Sequence, residues 1–149
     1  MLINRLALLV ALSALEPTPL AKRDLVIGRL QPGMPAAEVD HALGRPDSIQ
    51  VAHTDMGSCY EERFYRGLVV ALSDGKVYNF TLRDSSWTTV RGLRVGDALS
   101  RARSLYGQPA QRQPFWEYAA PDHDELRLIL EYEGTRITAI TLGAFVNCD

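Results

Sequence analysis

The chain has only two cysteines in 149 residues, and its 16 Lys and Arg fall short of its 18 Asp and Glu. The first scarcity excludes the small cysteine-stapled folds. The second argues against nucleic acid as a partner, because holding phosphates takes a surplus of clustered cations. No apolar run approaches the roughly 20 residues that a bilayer-spanning helix needs. Catalytic signatures are missing too: there is no H-E-x-x-H, no G-x-S-x-G, no Walker loop and no glycine-rich dinucleotide loop. Eight prolines and 11 glycines supply turns without making low-complexity sequence, and 46% hydrophobic with 23% charged residues is an ordinary globular balance.

A ten-residue uncharged run, LALLVALSAL from Leu6 to Leu15, follows Arg5 and is closed by Glu16, Pro17 and Pro19. It is too short to span a membrane and has the length of the apolar stretch in a secretory leader. Residues 1–21 are therefore expected to be a signal peptide, with Ala21 the small residue before the cut. A cut after Ser13, with Ala11 at −3, is one alternative, and an uncleaved N-terminal helix that holds the chain to a membrane is another. No stable membrane span is expected in the mature chain, and localisation is expected to be periplasmic or secreted. Export would place Cys59 and Cys148 in an oxidising compartment. A disulfide between them is the expectation, and two free thiols are the alternative. Their spacing fits no zinc pattern.

The chain also repeats itself. Residues 27–46, IGRLQPGMPAAEVDHALGRP, align without a gap with residues 90–109, VRGLRVGDALSRARSLYGQP, at an offset of 63. Leu30 and Leu93, Gly33 and Gly96, Gly44 and Gly107, and Pro46 and Pro109 coincide. Each block predicts a loop, a short helix and a stop. Asp97 is a candidate N-cap, and Pro35 suits the first position after a cap. Gly44 and Gly107 suit the residue after the last turn, and the prolines forbid continuation. Ala36, Val39 and Leu43, like Leu99, Ala102 and Tyr106, make one apolar stripe at helical spacing.

Strand patterns follow each helix: 59–65, 68–73 and 77–83, then 115–119, 126–132 and 136–142. Asp74-Gly75 and Glu133-Gly134 mark the corresponding hairpins. The last strands align at an offset of 60. Leu126, Leu128 and Leu130 share one face of their strand, and Tyr78, Phe80 and Leu82 one face of theirs. The fold class expected is α+β, built as two tandem repeats, each a short helix followed by a three-stranded antiparallel meander. Repeat one would take residues 22–86, and repeat two residues 87–149 with a C-terminal tail. Trp87 would plug the junction.

The motif Gly33-Met34, Glu38-Val39, Leu43-Gly44 and Pro46, followed by strands, resembles the SmpA/OmlA (BamE) domain. Its tandem arrangement is similar to that of the β-lactamase inhibitor protein family. The first resemblance implies an exported, non-enzymatic protein-binding or envelope-assembly module, with a protein partner in the envelope or outside the cell. The second implies a secreted inhibitor presenting its sheet face to a hydrolase. The chain departs from both: no lipid-bearing cysteine follows the leader, and neither repeat holds a cysteine pair.

The residues themselves offer little chemistry. His41 sits on the first predicted helix among acidic residues. His123 lies in Pro121-Asp122-His123-Asp124-Glu125, where carboxylates solvating a turn account for the pattern as well as a cation site does. His53 precedes Cys59 by six residues, and a small periplasmic enzyme using His53 and Cys59 is the catalytic alternative, with no third group to orient the base. Glu61 and Glu62 alternate faces on a strand and cannot act together. No catalytic residue, metal ligand or cofactor is expected. The aromatics carry the functional expectation. Trp116 with Tyr118, and Tyr60 with Phe64, are each two or four apart on a strand, so each pair shares a face. The four are expected to form a partner-binding patch on an open sheet face. The alternative is that both faces of these strands are buried.

Overall fold

A computed structural model of the chain describes residues 16–53 and 59–145. A 3₁₀ turn (Lys22–Asp24) leads into α1 (Ala36–Leu43), then β1 (Ser48–His53), β2 (Cys59–Tyr65), β3 (Leu68–Ser73) and β4 (Lys76–Leu82). After a long connection come α2 (Leu99–Tyr106), β5 (Trp116–Ala120), β6 (His123–Glu133) and β7 (Arg136–Ala144). All seven strands lie in one antiparallel sheet, ordered β1-β2-β3-β4-β7-β6-β5.

This corrects the expected architecture. The chain is a single mostly-β sheet with two short helices, not two helix-plus-three-strand repeats. The first half contributes four strands, since β1 stands ahead of the meander. The halves fuse where β4 pairs with β7, from Asn79↔Gly143 to Leu82↔Ile140. The physical reason is that half a chain of this length cannot build an adequate core, and a free edge at β4 would leave a row of unpaired backbone groups. Fusion across β4 and β7 removes both problems.

The internal correspondence survives locally. Gly33 N–H donates to Val77 O at 2.6 Å, and Gly96 N–H to Ile137 O at 2.8 Å. Val77 N–H returns to Met34 O and Ile137 N–H to Asp97 O, each at 2.9 Å. Each helix start is then capped by a hairpin: Ala36 N–H reaches Gly75 O and Leu99 N–H reaches Thr135 O, both at 2.9 Å. A helix leaves its first N–H groups unsatisfied, and here backbone carbonyls take the place of a side-chain cap. The N-cap residues are accordingly Pro35 and Ala98, with no side-chain cap bond at either. Asp97 is not the cap; its Oδ2 accepts Arg94 N–H at 2.9 Å one turn earlier. Gly44 (φ 73°, ψ −154°) and Gly107 (φ 84°, ψ −155°) end the helices in a region essentially closed to other residues.

Both helices and the segment 20–34 pack on one face of the sheet. One cluster joins Leu20, Leu25, Ile27, Leu30, Val39, Ala102 and Tyr106 to Leu68, Val70, Phe80, Leu82, Leu128, Leu130 and Leu142. Trp87 packs half-buried against it and donates Nε1–H to Arg66 O at 2.9 Å. The buried Asp24 carboxylate meets the Arg91 guanidinium at 3.0 Å (Nε to Oδ1) and 2.7 Å (Nη2 to Oδ2). Arg91 spends its remaining N–H groups on the carbonyls of Thr18, Leu105 and Pro19. This ion pair ties residues 18–24 to the end of α2. Most of the expected leader, residues 1–15, lies outside the described residues.

Candidate functional site

The pairing register divides the side chains of the sheet between a covered and an open face. Leu68, Val70 and Leu72 enter the core, so their partners on β2, namely Tyr65, Arg63 and Glu61, share the covered side. Tyr60, Glu62 and Phe64 stand on the other side, opposite Ser73, Ala71 and Val69. The same parity places Thr81, Asn79, Thr141, Gly143, Arg127, Ile129, Glu117 and Ala119 on that face. Val69, Ala71 and Ala139 are buried there, yet they stand outside the core cluster. Among the described residues, no helix packs on this face.

The expected aromatic patch is therefore split. Tyr60 and Phe64 are on the open face, half-buried, and the Tyr60 ring meets Tyr78 edge-on with centroids 6.5 Å apart. Trp116 and Tyr118 are not. They pair with Leu130 and Leu128, point into the core, and are 6% and 4% exposed. The Trp116 ring lies under Arg103 and Arg112, whose guanidinium carbons are 5.5 and 5.9 Å from its centroid. Tyr118 packs on Tyr106 at 5.6 Å and donates its hydroxyl to Gly107 O at 2.9 Å. Burial pushes that hydroxyl up to about 12. These two residues anchor α2 to the sheet. The aromatic on the open side at this end is Phe115, the residue just before β5.

At the β5 end the open face hollows into a cleft of about 580 Å³ lined by Phe115, Glu117, Asp124, Arg127, Ile129 and Phe145. Arg127 Nε donates to Glu117 Oε1 at 2.8 Å across the β5–β6 pair, so the central charges of the cleft are paired with each other. Its remaining carboxylates, Asp124 and Glu125, sit at the exposed rim. The β7 backbone comes close beneath: a Cβ on Gly143, at φ 133°, would lie 2.3 Å from Tyr78 O.

The residues considered for catalysis are scattered. His41 is exposed on α1 beside Glu38, in a shallow cleft that also holds Arg29 and Met34. His123 opens β6 at the hairpin, 3.9 Å from Glu125. His53 and Cys59 face each other in the β1–β2 register, but the loop between them and their side chains lie outside the description. Cys148 lies outside the described residues, and so does the expected pairing with Cys59. Glu61 is engaged by Arg63, which also reaches Asp40 on α1. Among the described residues no three His, Cys, Asp or Glu side chains gather as a metal site would require. No described helix is long and apolar enough to cross a membrane.

No model of a known protein family matches the chain, and no curated protein matches it. Two solved structures share the fold. One is an extracellular protein containing an SCP domain from Bacillus anthracis str. Ames, with a TM-score of 0.55 and 10% identity over 75% of this chain. The chain spans 43% of that protein. The other is the uncharacterized protein YfeY from Escherichia coli, with a TM-score of 0.51, 16% identity, and coverage of 80% of this chain and 97% of that one. At such identities the likeness concerns the fold alone.

Proposed function

We propose that the chain is an exported, non-enzymatic protein-binding or envelope-assembly module of BamE-like type, working in the periplasm or outside the cell through the open face of its sheet. The observation that carries this is the face itself. It spans seven strands, bears Tyr60, Phe64, Phe115 and Ile129, and no described helix packs on it. Aromatic side chains held on a rigid sheet suit a protein partner, because they contribute large contact area with little loss of rotamer freedom. Export rests on the leader-like run Leu6–Leu15 and agrees with the extracellular description of one structural neighbour.

The test is affinity capture of the mature protein from envelope extract, beside Tyr60→Ala and Phe64→Ala. A protein recovered by the wild type and weakened about tenfold or more by either variant, at nearly unchanged melting temperature, supports the proposal. Nothing recovered above background, or recovery indifferent to both variants, overturns it.

A further inference from the structure

The two edges of the sheet are treated differently. At β5 the edge is partly covered: Glu117 N–H donates to Gln111 O at 2.9 Å, and Ala110 N–H to Glu117 O at 2.8 Å. At the other edge stands β1, Ser-Ile-Gln-Val-Ala-His, which pairs with β2 on one side and with no described strand on the other. An open edge is normally blunted by Lys, Pro, a bulge or a very short strand. β1 has six residues, no proline, no glycine and no lysine, and its register with β2 runs unbroken from Ser48↔Phe64 to His53↔Cys59. Its apolar side chains are also out of place. Ile49 is 52% exposed and Val51 58% exposed, and only Val90 joins them among the large hydrophobics exposed in the described chain. Both lie opposite the covered-side residues Arg63 and Glu61, so they share one face.

We propose that β1 is a self-association edge, pairing antiparallel with β1 of a second copy of this chain about a two-fold axis through Gln50. The sequence of the strand selects this occupant. To keep both sheets' faces continuous, a residue must meet one of the same parity. The two-fold through Gln50 does this and sets Ile49 against Val51 of the second copy on both sides of the axis. Gln50 then meets Gln50, and Ser48 meets Ala52. Next outward, Asp47 stands at the position opposite His53. No two like charges oppose one another, the interface is isologous as closed dimers require, and the exposed β-branched residues become cross-strand pairs. The result is a continuous sheet of two copies. It uses the strand edge and leaves the open face free, so it stands independently of the proposed function.

Sedimentation velocity of the full chain over a wide concentration range tests this. The wild type is expected to dimerise. Val51→Lys and Ile49→Lys, which place a gatekeeper charge on the edge, are expected to weaken the dimer by about tenfold or more while leaving the melting temperature read at a concentration too low for association unchanged. Val90→Lys, at an equally exposed apolar site away from β1, should leave it intact. Gln50→Cys in a Cys59→Ser, Cys148→Ser background should cross-link to itself on mild oxidation, which probes the axis without adding charge. A chain monomeric throughout, a dimer indifferent to both β1 lysines, or a Gln50→Cys chain that fails to cross-link would each overturn the proposal. A strand supplied by another protein would show as the monomeric outcome.

Discussion

The Asp24–Arg91 pair offers a quantitative test of how the chain is held together. Asp24 is 4% exposed, and its carboxylate accepts from Arg91 Nε, Arg91 Nη2 and Ala21 N–H. All five N–H groups of the guanidinium are spent on this carboxylate and on the carbonyls of Thr18, Pro19 and Leu105, and its carbon lies 4.9 Å from the Tyr106 ring centroid. Replacing one partner of a buried pair strands the other, at about 3–5 kcal/mol. The Arg91 side chain keeps 13% exposure, so water softens the loss, and Asp24→Asn should fall near the lower end, at about 3 kcal/mol. At roughly 2–4 °C per kcal/mol for a chain of this size, the midpoint drops by about 10 °C. Arg91→Lys keeps the charge but supplies a three-donor head for a five-donor fork, so it should cost about 1–2 kcal/mol.

A chain beginning at Lys22 probes the same latch from the other side. It lacks the Thr18 and Pro19 carbonyls, Ala21 N–H and the buried Leu20 side chain. Burial of Leu20 alone is worth about 2 kcal/mol. Urea unfolding of these three variants against a chain starting at Pro17 is the assay. All three falling within about 0.5 kcal/mol of the reference would refute the latch. A cut after Ala21 would remove the latch, so if the chain is exported as proposed, intact mass of the processed protein is expected to place its N-terminus upstream of Thr18.

Gly143→Ala should destabilise by several kcal/mol, because its Cβ meets backbone of β4 that cannot yield. Gly44→Val and Gly107→Val should cost about 1–3 kcal/mol from backbone conformation alone, since the added Cβ meets nothing closer than Pro17 Cγ at 3.7 Å; thermal melts decide. Trp116→Ala should lose about 3–5 kcal/mol as a core truncation rather than weaken binding at constant stability. Tyr118 ionises near 12 when folded and near 10 when unfolded. The folded state therefore holds its proton more tightly, and the resulting stability, complete below pH 10, is lost as pH rises through about 12. Tyr118→Phe should flatten the fall of stability in that window.

The cysteines yield to reach arithmetic. Cys59 opens β2 at the end of the sheet where β7 closes, since Tyr60 pairs with Ser73, Ser73 with Lys76, and Asn79 with Gly143. Three strand spacings separate the two strand ends, about 14 Å. The three residues from Phe145 to Cys148 extend about 10 Å, and a disulfide spans a further ~5 Å between Cα atoms. A thiol assay on the exported protein is expected to find neither cysteine reactive, and two titratable thiols would refute the pairing.

Local signals were legible where backbone chemistry decides. The glycines at 44 and 107 end helices, and Asp74-Gly75 turns a hairpin with φ of 52° and 73°. The offsets of 63 and 60 reappear in the bonds joining Gly33 to Val77 and Gly96 to Ile137. What failed was inference across the sheet. β1 is not legible in the sequence because its two large apolar residues, Ile49 and Val51, are exposed and give no buried face to read. Which strands join the halves is not legible locally, because the β4–β7 pairing is a contact between strands 60 residues apart, which no local pattern encodes.

The inverted aromatic pair has a sharper cause. Alternation shows that Trp116 and Tyr118 share a face but not which face, and the same holds for Tyr60 and Phe64. Equivalence of the two halves would set both pairs on one side. The register opposes this. Trp116 and Tyr118 pair with Leu130 and Leu128, from the leucine series whose burial the sequence itself indicates. On β2 two charged residues face the helices beside Tyr65, because Arg63 reaches Asp40 on α1 and takes Glu61 as its neighbour. An ion-paired arginine thus occupies the covered side near the sheet edge, and the aromatics Tyr60 and Phe64 are turned outward. The rule that charges face water and aromatics face the core holds for Trp116 and Tyr118 on β5 and only in part on β2, where Tyr65 packs against the core while Arg63 and Glu61 share its side and Glu62 stands outside with Tyr60 and Phe64. That mixed strand is what leaves Tyr60 and Phe64 on the open face.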